Sequence, residues 1–206
     1  SWSNTAVSGL SVNFVQGPYK LRSPHHDADD EAYTQACVAD LVQVIDMMTA
    51  GDVACLIAEP IQGVGGFATP PDGFFGAMHK VLDQHGILFV SDEVQTGWGR
   101  TGDHFWGYQA HGVIPDMLTF AKGVGNGITL AGIVGRAEIM DTLPHLSFST
   151  FGGNPLSTAA GLATLRYVKE ADLQGNAKAR GQQMKDRLTP VAERTDWIAE
   201  LRGKGL

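Results

Sequence analysis

Four short runs of mainly apolar residues constrain the fold of this 206-residue chain more than any other feature. They cover residues 54–58, 87–90, 117–121 and 130–134, and each has the length of one β-strand. Because apolar residues occupy successive positions, such strands are expected to be buried on both sides of a sheet. Helical spacing of apolar residues covers 31–50 and 71–85, and again 155–170 and 173–193. Strands that alternate with helices predict an α/β fold with three layers, α/β/α, around a mostly parallel sheet.

Ionisable residues stand at the ends of three of these runs. Glu59 and Asp92 follow the first two runs, and Lys122 follows the third directly. In open α/β sheets, ligands bind beyond the carboxyl ends of the strands. Charges collected at that edge of the sheet therefore favour a functional site over a structural one.

The segment after Asp92 contains a competing motif. Gly97, Gly99 and Gly102 are spaced as G-x-G-x-x-G, which is the dinucleotide-binding fingerprint. That fingerprint needs a strand immediately before it and a helix after it, whereas here the strand ends several residues earlier and a poor helix start follows. We therefore interpret these glycines as a flexible, tightly turned loop. A P-loop ATPase is also disfavoured, because no G-x-x-x-x-G-K-[ST] run occurs in the sequence.

Charge and composition exclude several classes of protein. The formal net charge is −7 and no cluster of lysines or arginines stands out, which argues against nucleic acid as a partner. No apolar run approaches the roughly 20 residues that span a bilayer, so no membrane partner is expected. His25, His26 and Asp27 are spaced like no familiar metal site, and no metal is predicted. Cys37 and Cys55 lie among apolar residues and are expected to be reduced core residues of a cytoplasmic protein.

Four segments, taken together and in this order, resemble the signature of the class III, pyridoxal-phosphate-dependent aminotransferases. They are Glu-Pro-Ile-Gln-Gly at 59–63, Asp-Glu-Val-Gln-Thr-Gly at 92–97, Ala-Lys-Gly at 121–123 and Ser-Thr-Phe-Gly-Gly-Asn-Pro at 149–155. The resemblance extends over nearly the whole chain from about residue 50. His-Phe-Trp-Gly at 104–107 and Gly-Asn-Gly at 125–127 are most similar to the alanine–glyoxylate aminotransferase 2-like branch. The resemblance implies the large domain of a type I pyridoxal-phosphate-dependent transferase.

The resemblance also implies a role for each residue of the predicted site, with pyridoxal phosphate as the cofactor. Lys122 would form a Schiff base with the cofactor and then move a proton, and a lysine in a glycine-flanked turn after a strand suits that role. Asp92 would keep the pyridine nitrogen protonated, so that Lys122 and Asp92 are the predicted catalytic residues. The resemblance also implies that Val94 packs on the ring face of the cofactor and that Gln95 hydrogen-bonds its phenolic oxygen. In a homodimer, Ser149 and Thr150 would bind the phosphate of the cofactor that is held in the neighbouring subunit's site.

Two further positions refine this hypothesis. Glu59 resembles a structural carboxylate at the edge of the site, although a catalytic role for it stays open, and Glu93 resembles a hydrogen-bonded residue behind the site. In ornithine- and 4-aminobutyrate-specific relatives, a glutamate after the 59–63 segment gates an arginine. Val64 stands at that position here, and an apolar side chain cannot pair with an arginine. Those two specificities are therefore disfavoured.

The predicted function is transfer of an amino group from an amino acid to a 2-oxo acid such as pyruvate or glyoxylate. A phospho-lyase on the same scaffold and a non-catalytic ligand-binding domain stay open as alternatives. The Asp92 and Lys122 pair argues against the second, because a binding module has no use for a Schiff-base lysine. Residues 1–195 are assigned to the central part of the cofactor-binding large domain, and residues 196–206 to the start of a small C-terminal domain. The family's phosphate cup, ring-stacking aromatic residue and substrate-binding arginine are expected outside this chain.

Overall fold

A four-stranded sheet lies at the centre of the structure, a computed structural model that describes residues 12–142 and 149–206. The strands are β1 (Cys55–Ala58), β2 (Leu88–Asp92), β3 (Met117–Phe120) and β4 (Gly132–Gly135), and they pair in that order. The first three strands run parallel, and β4 runs antiparallel to β3. The predicted α/β class with a mostly parallel sheet is confirmed. Each strand overlaps one of the four apolar runs.

Helices α1 (Asp30–Met48) and α2 (Phe74–His85) cover one face of this sheet. Helix α1 begins where the Asp29 side chain accepts a hydrogen bond from the Ala32 N–H at 2.7 Å, which satisfies one of the unpaired amides of its first turn. Each large apolar side chain buried between these layers stabilises the fold by about 1.5–3 kcal/mol. The core between α1, α2 and β2 contains Tyr33, Cys37, Leu41, Ile45, Phe74, Phe75, Met78, Leu82 and Phe89.

The C-terminal helices hold the turn that follows β3. After the short helix α3 (Ala137–Met140) come α4 (Pro155–Glu170) and α5 (Leu173–Ala192). Helix α4 begins at a strong cap, because Asn154 Oδ1 accepts the Ser157 N–H at 2.9 Å and Pro155 occupies the first helical position. The helix packs against α5 and against the 3-10 turn Lys122–Gly125. The position of Lys122 is therefore supported from the side of α4.

The sheet is less completely buried than the apolar runs predict. Cys37 lies in the core as expected, but Cys55 is exposed, and Ile57 in the same strand is 60 % exposed. Leu56 and Ala58 pack against the core, and successive side chains of a strand point to opposite faces. The prediction of a core position for Cys55 was therefore wrong, because residues 55 and 57 of this edge strand face away from α1 and α2.

The polar loop before α1 contains the His25, His26 and Asp27 cluster. There, His26 Nδ1 lies 3.2 Å from the Ser23 carbonyl oxygen and His26 Nε2 lies 3.2 Å from Asp27. Within residues 12–142 and 149–206, no group of three or more His, Cys, Asp or Glu side chains is arranged to hold a metal ion. Over the same residues, no helix combines the length and the apolar character needed to cross a membrane.

One histidine is buried beside the core. The His111 ring meets Phe75 edge-on, with 4.9 Å between the ring centroids, and its Nδ1 has no hydrogen-bond partner among the described residues. Burial lowers the pKa of His111 from 6.5 to about 4. As the pH falls, the unfolded chain therefore binds a proton before the folded chain does. The stability that the neutral ring contributes is complete above pH 6.5 and is lost between pH 6.5 and about 4.

We expect His111→Phe to flatten the decline in stability over this pH range, because phenylalanine keeps the aromatic contact and cannot bind a proton. Each unit of pKa difference corresponds to about 1.4 kcal/mol in the free energy of unfolding. The measurement is denaturant unfolding of the full-length parent protein at a series of pH values. His85→Gln, an exposed position at the end of α2, is the control and should retain the wild-type decline. Parallel pH curves for His111→Phe and wild type would show that His111 does not cause the decline.

Candidate functional site

The three ionisable residues predicted at strand ends do lie at one edge of the sheet. Asp92 is the last residue of β2 and pairs with Thr119 of β3. Lys122 follows β3 in the 3-10 turn Lys122–Gly125, and Glu59 directly follows β1. Because β1, β2 and β3 are parallel neighbours, their carboxyl ends meet at this edge, where ligands bind in α/β folds.

The Asp92 carboxylate is anchored through one of its two oxygens. Oδ1 accepts the Val94 N–H at 3.1 Å and the Thr119 hydroxyl at 3.2 Å. In the part of the chain that the structure describes, no donor is hydrogen-bonded to Oδ2. A half-buried carboxylate that is fixed by one oxygen and open at the other can accept a hydrogen bond from a protonated nitrogen of a ligand.

Lys122 is exposed and its backbone is strained. Its φ of 50° lies in the left-handed region, which costs a non-glycine residue about 1–3 kcal/mol and is common at functional sites. Val124, two residues on, is buried and fixes the turn against the body of the protein. Among the described residues, no ion pair includes the Lys122 ammonium group. The turn thus presents an uncommitted amine at the edge of the sheet.

A cavity of about 1180 Å³ lies beside this turn. Lys122, Val94 and Gln95 all line it, and Asp92 directly precedes the Val94 turn. The volume is somewhat larger than the about 300–1,000 Å³ typical of small-molecule pockets. The structure therefore places the predicted residues 94, 95 and 122 around one cavity, and it places Asp92 at the same edge of the sheet, two residues before Val94. It does not bring the 149–150 pair to them, since Ser149 and Thr150 are exposed and do not line this cavity.

The two glutamates near the site differ in their surroundings. Glu59 Oε2 accepts the Gly63 N–H at 2.9 Å and closes the turn after β1, which is a structural contact. Glu93 is completely buried and accepts four hydrogen bonds. Burial, and next the Glu93 charge, raise the pKa of the neighbouring Tyr108 hydroxyl. The extent of the Glu93 contacts could not be predicted from the sequence, because two of the four donors come from residues 107–108, far along the chain.

The glycine-rich segment after the site forms a tight loop that is packed on both sides. A Cβ atom on Gly102, which has φ of 80°, would lie only 2.6 Å from the Lys178 backbone, so glycine is needed for this contact with α5. The tight turns predicted for this loop are confirmed, and its flexibility stays a prediction. The aromatic cluster at the loop was not predicted, although Trp98, Phe105 and Trp106 stand close together in the sequence. It is centred on Trp98, whose ring centroid lies 5.8 Å from Phe105, 4.5 Å from Trp106 and 5.2 Å from Phe120.

Pyridoxal-phosphate enzymes hold the cofactor with a Schiff-base lysine and a charged partner at its pyridine nitrogen. The sequence matches the model of the family "Aminotransferase class-III" over residues 1–206. The chain belongs to the class III aminotransferase family.

Two relatives of the chain differ in the activity that their names give. The chain is 43 % identical over 210 residues to alanine–glyoxylate aminotransferase 2 homolog 2, mitochondrial, of Arabidopsis thaliana, which covers 98 % of this chain and 43 % of the relative. It is 46 % identical over 155 residues to alanine/serine racemase of Pyrococcus horikoshii, which covers 75 % of this chain and 32 % of the relative. The chain thus spans less than half the length of either relative.

A solved structure confirms the predicted type I fold. The crystal structure of an amine transaminase from an uncultivated Pseudomonas species, in its PLP-bound form, superposes with a TM-score of 0.88 and 35 % sequence identity. The superposition covers 100 % of this chain and 49 % of the transaminase.

Proposed function

We propose that the protein that carries this chain is a pyridoxal-phosphate-dependent aminotransferase, which transfers an amino group from an amino acid to a 2-oxo acid such as pyruvate or glyoxylate. The main support is the arrangement at the edge of the sheet. Asp92 is anchored with one oxygen open, and Lys122 presents its amine from the turn that follows the adjoining strand β3. Membership of the class III family supports the same activity.

The residues at the edge of the sheet fit pyridoxal phosphate as the cofactor. When it is bound, its protonated ring withdraws electrons from the bond that breaks at the substrate's α-carbon. Asp92 Oδ2 would accept the hydrogen bond of the pyridine N–H and keep that nitrogen protonated. Val94 and Gln95 would contact the ring face and the phenolic oxygen from the cavity wall. Lys122 Nζ would bind the cofactor through a Schiff base and then hold the proton that moves at the substrate carbon.

A homodimer with shared sites is the second part of the proposal, in which Ser149 and Thr150 of each chain bind the cofactor phosphate at the other chain's site. The exposure of both residues, away from the cavity that Lys122 lines, supports it. Exposed apolar residues follow directly, with Phe151 81 % and Leu156 70 % exposed, and such patches are typical of protein interfaces. A two-fold interface would place both segments symmetrically.

Complementation between inactive variants tests the shared site. In the full-length parent, Lys122→Ala and Thr150→Glu should each be inactive, since glutamate repels the phosphate. In a mixed dimer, one of the two sites combines intact Lys122 with intact Thr150, so activity should return to about half the wild-type level. The measurement is turnover by heterodimers isolated with two different affinity tags.

The matched control for this experiment is Lys122→Ala mixed with Asp92→Asn. Both residues belong to the same chain's site, so each site of that heterodimer keeps one defect and no activity should return. If the Thr150→Glu mixture also stays inactive although heterodimers are present, the shared-site proposal is wrong.

A racemase is the second candidate function, because a relative that is 46 % identical bears that name. The full-length parent should be assayed with a panel of amino donors and 2-oxo acids, and also with single L-amino acids alone. Amino transfer that needs an oxo acid supports the proposal. Formation of D-amino acid without an oxo acid would identify a racemase, and phosphate release from an amino alcohol phosphate would identify a phospho-lyase.

The same panel tests the expectation drawn from Val64, which is 70 % exposed. Because this apolar side chain cannot pair with an arginine, we expect ornithine and 4-aminobutyrate to be poor amino donors.

The domain boundary after residue 195 is also proposed. Its support is that α5 ends at Ala192 and that residues 193–206 continue without a helix or strand. The cytoplasmic location stays a prediction, and the Arabidopsis relative is mitochondrial by name.

A further inference from the structure

A buried carboxylate directly after β2 has no part in the chemistry proposed above. Glu93 is 0 % exposed. Its Oε1 accepts the Ser91 hydroxyl at 3.1 Å and the Tyr108 N–H at 2.8 Å. Its Oε2 accepts the Thr96 hydroxyl at 2.6 Å and the Gly107 N–H at 2.8 Å. Each oxygen therefore receives one hydroxyl and one backbone amide, so the carboxylate is fully satisfied without a cation.

The four donors belong to three separate segments of the chain. One donor lies in β2, one in the turn at 94–97, and two at 107–108, where the glycine-rich loop returns to the sheet. The Glu93 backbone extends these connections, because its N–H donates to the Thr119 carbonyl of β3 at 3.0 Å and its carbonyl accepts the Gly97 N–H at 2.9 Å. Glu93 thus joins two strands, the turn and the loop at a single residue.

The loop and the turn are in close contact around this carboxylate. A Cβ atom on Gly107 would lie 2.7 Å from Thr96 Cβ and 2.8 Å from Pro60 Cβ, so only glycine fits there. The turn that Glu93 holds in this contact carries Val94 and Gln95, which line the cavity of Lys122. The Val94 N–H in turn fixes the carboxylate of Asp92.

We propose that Glu93 is a positioning residue for the cofactor site, an inference that rests on the proposed function. Its carboxylate holds the 94–97 turn so that Val94 and Gln95 face the cofactor and so that the Val94 N–H orients Asp92. Glu93 does not itself line the cavity, and it acts through these neighbours. Both carboxylate oxygens must accept hydrogen bonds, because each faces one hydroxyl and one backbone N–H. Glutamine has the same shape, but its NH₂ group is a donor and would face a backbone N–H donor, so glutamine cannot replace Glu93.

Glu93→Gln in the full-length parent tests the proposal by two measurements. Amide hydrogen exchange of residues 94–108 in the cofactor-free protein should be faster by on the order of tenfold. The reason is that two donors would face each other in the variant, which locally destabilises the contact between the 94–97 turn and residues 107–108. The dissociation constant for pyridoxal phosphate should rise by about tenfold. Thr34→Val is the control, since Thr34 is also buried and hydrogen-bonded but lies in α1. It should lower overall stability and leave both measurements unchanged.

A second pair of variants covers the case in which Glu93→Gln does not fold. Thr96→Val removes one donor to Glu93 and should shift exchange and cofactor affinity in the same direction by a smaller factor. Thr96→Ser keeps the hydroxyl and should restore wild-type values. Unchanged exchange of residues 94–108 in Glu93→Gln or Thr96→Val, or an equal loss of cofactor affinity in Thr34→Val, would overturn the proposal. Absence of cofactor binding by the wild-type parent would instead overturn the proposed function, and the exchange measurement distinguishes the two failures.

Discussion

Lys122→Ala in the full-length parent protein should abolish turnover and the visible absorbance of the bound cofactor, while the protein stays folded. The Lys122 amine is proposed both to bind the cofactor covalently and to move the proton at the substrate carbon. General acid–base catalysis alone contributes about 10²–10⁴-fold to a rate, and covalent attachment is lost in addition. We therefore expect a decrease in kcat of at least about 10⁴-fold, measured by steady-state kinetics with saturating cofactor.

Two further variants separate the role of this amine from effects on folding. Lys122→Gly removes the same amine and accepts the φ of 50° without strain, so it should be equally inactive and well folded. Lys185 lies on α5 and lines the same cavity, which makes Lys185→Ala the matched control. That variant should keep most of the activity. A Lys122→Ala variant that retained a borohydride-reducible adduct would contradict the assignment.

Asp92→Asn should lower kcat by at least about 10²-fold with little change in stability. Asparagine Oδ1 can still accept the Val94 N–H and the Thr119 hydroxyl, so the local fold should survive. Its NH₂ group, however, donates where the carboxylate accepts, and the charge that holds the pyridine nitrogen protonated is gone. Since about 1.4 kcal/mol of lost transition-state stabilisation is a tenfold loss in rate, this estimate corresponds to about 2.7 kcal/mol.

The matched control for Asp92→Asn is Asp116→Asn. Asp116 precedes β3 at the opposite edge of the sheet, where it accepts the Phe89 N–H at 2.8 Å and pairs with Arg136 at 2.7 Å. Its replacement should lower the midpoint of thermal unfolding and leave kcat near the wild-type value. An Asp92→Asn enzyme within a few-fold of wild type would show that Asp92 is only structural.

The helices and strands, and the edge of the sheet that carries the site, could be predicted from the sequence, because both depend on the local pattern of apolar and ionisable residues. Continuous apolar runs predicted β1, β2 and β3, and the ionisable residues at their ends predicted that Asp92 and Lys122 lie at the same edge of the sheet. Parallel strands place their carboxyl ends together regardless of the details of packing, so the order and length of the apolar runs suffice to locate this edge. The spacing of the glycines relative to β2 also sufficed to reject a dinucleotide site.

Features that depend on distant partners could not be predicted. Cys55 is apolar in context, but its burial depends on which side of β1 a neighbouring layer covers. The contacts of Glu93 arise because a loop returns at residues 107–108, and no sequence spacing predicts that return. The left-handed backbone of Lys122 is likewise imposed by the surrounding turn, since lysine itself disfavours that conformation. The contacts of Glu93 and the backbone of Lys122 are thus features of the site that only the structure shows.

Covalent labelling shows directly whether Lys122 is the lysine that binds the cofactor. The full-length parent, loaded with pyridoxal phosphate, is reduced with borohydride, digested with trypsin and examined by mass spectrometry. Because trypsin does not cleave after a modified lysine, we expect one labelled peptide that spans residues 101–136 with the pyridoxyl group on Lys122, and no label there in Lys122→Ala. A label on Lys185 or any other lysine, with unmodified peptides 101–122 and 123–136, would show that Lys122 does not bind the cofactor.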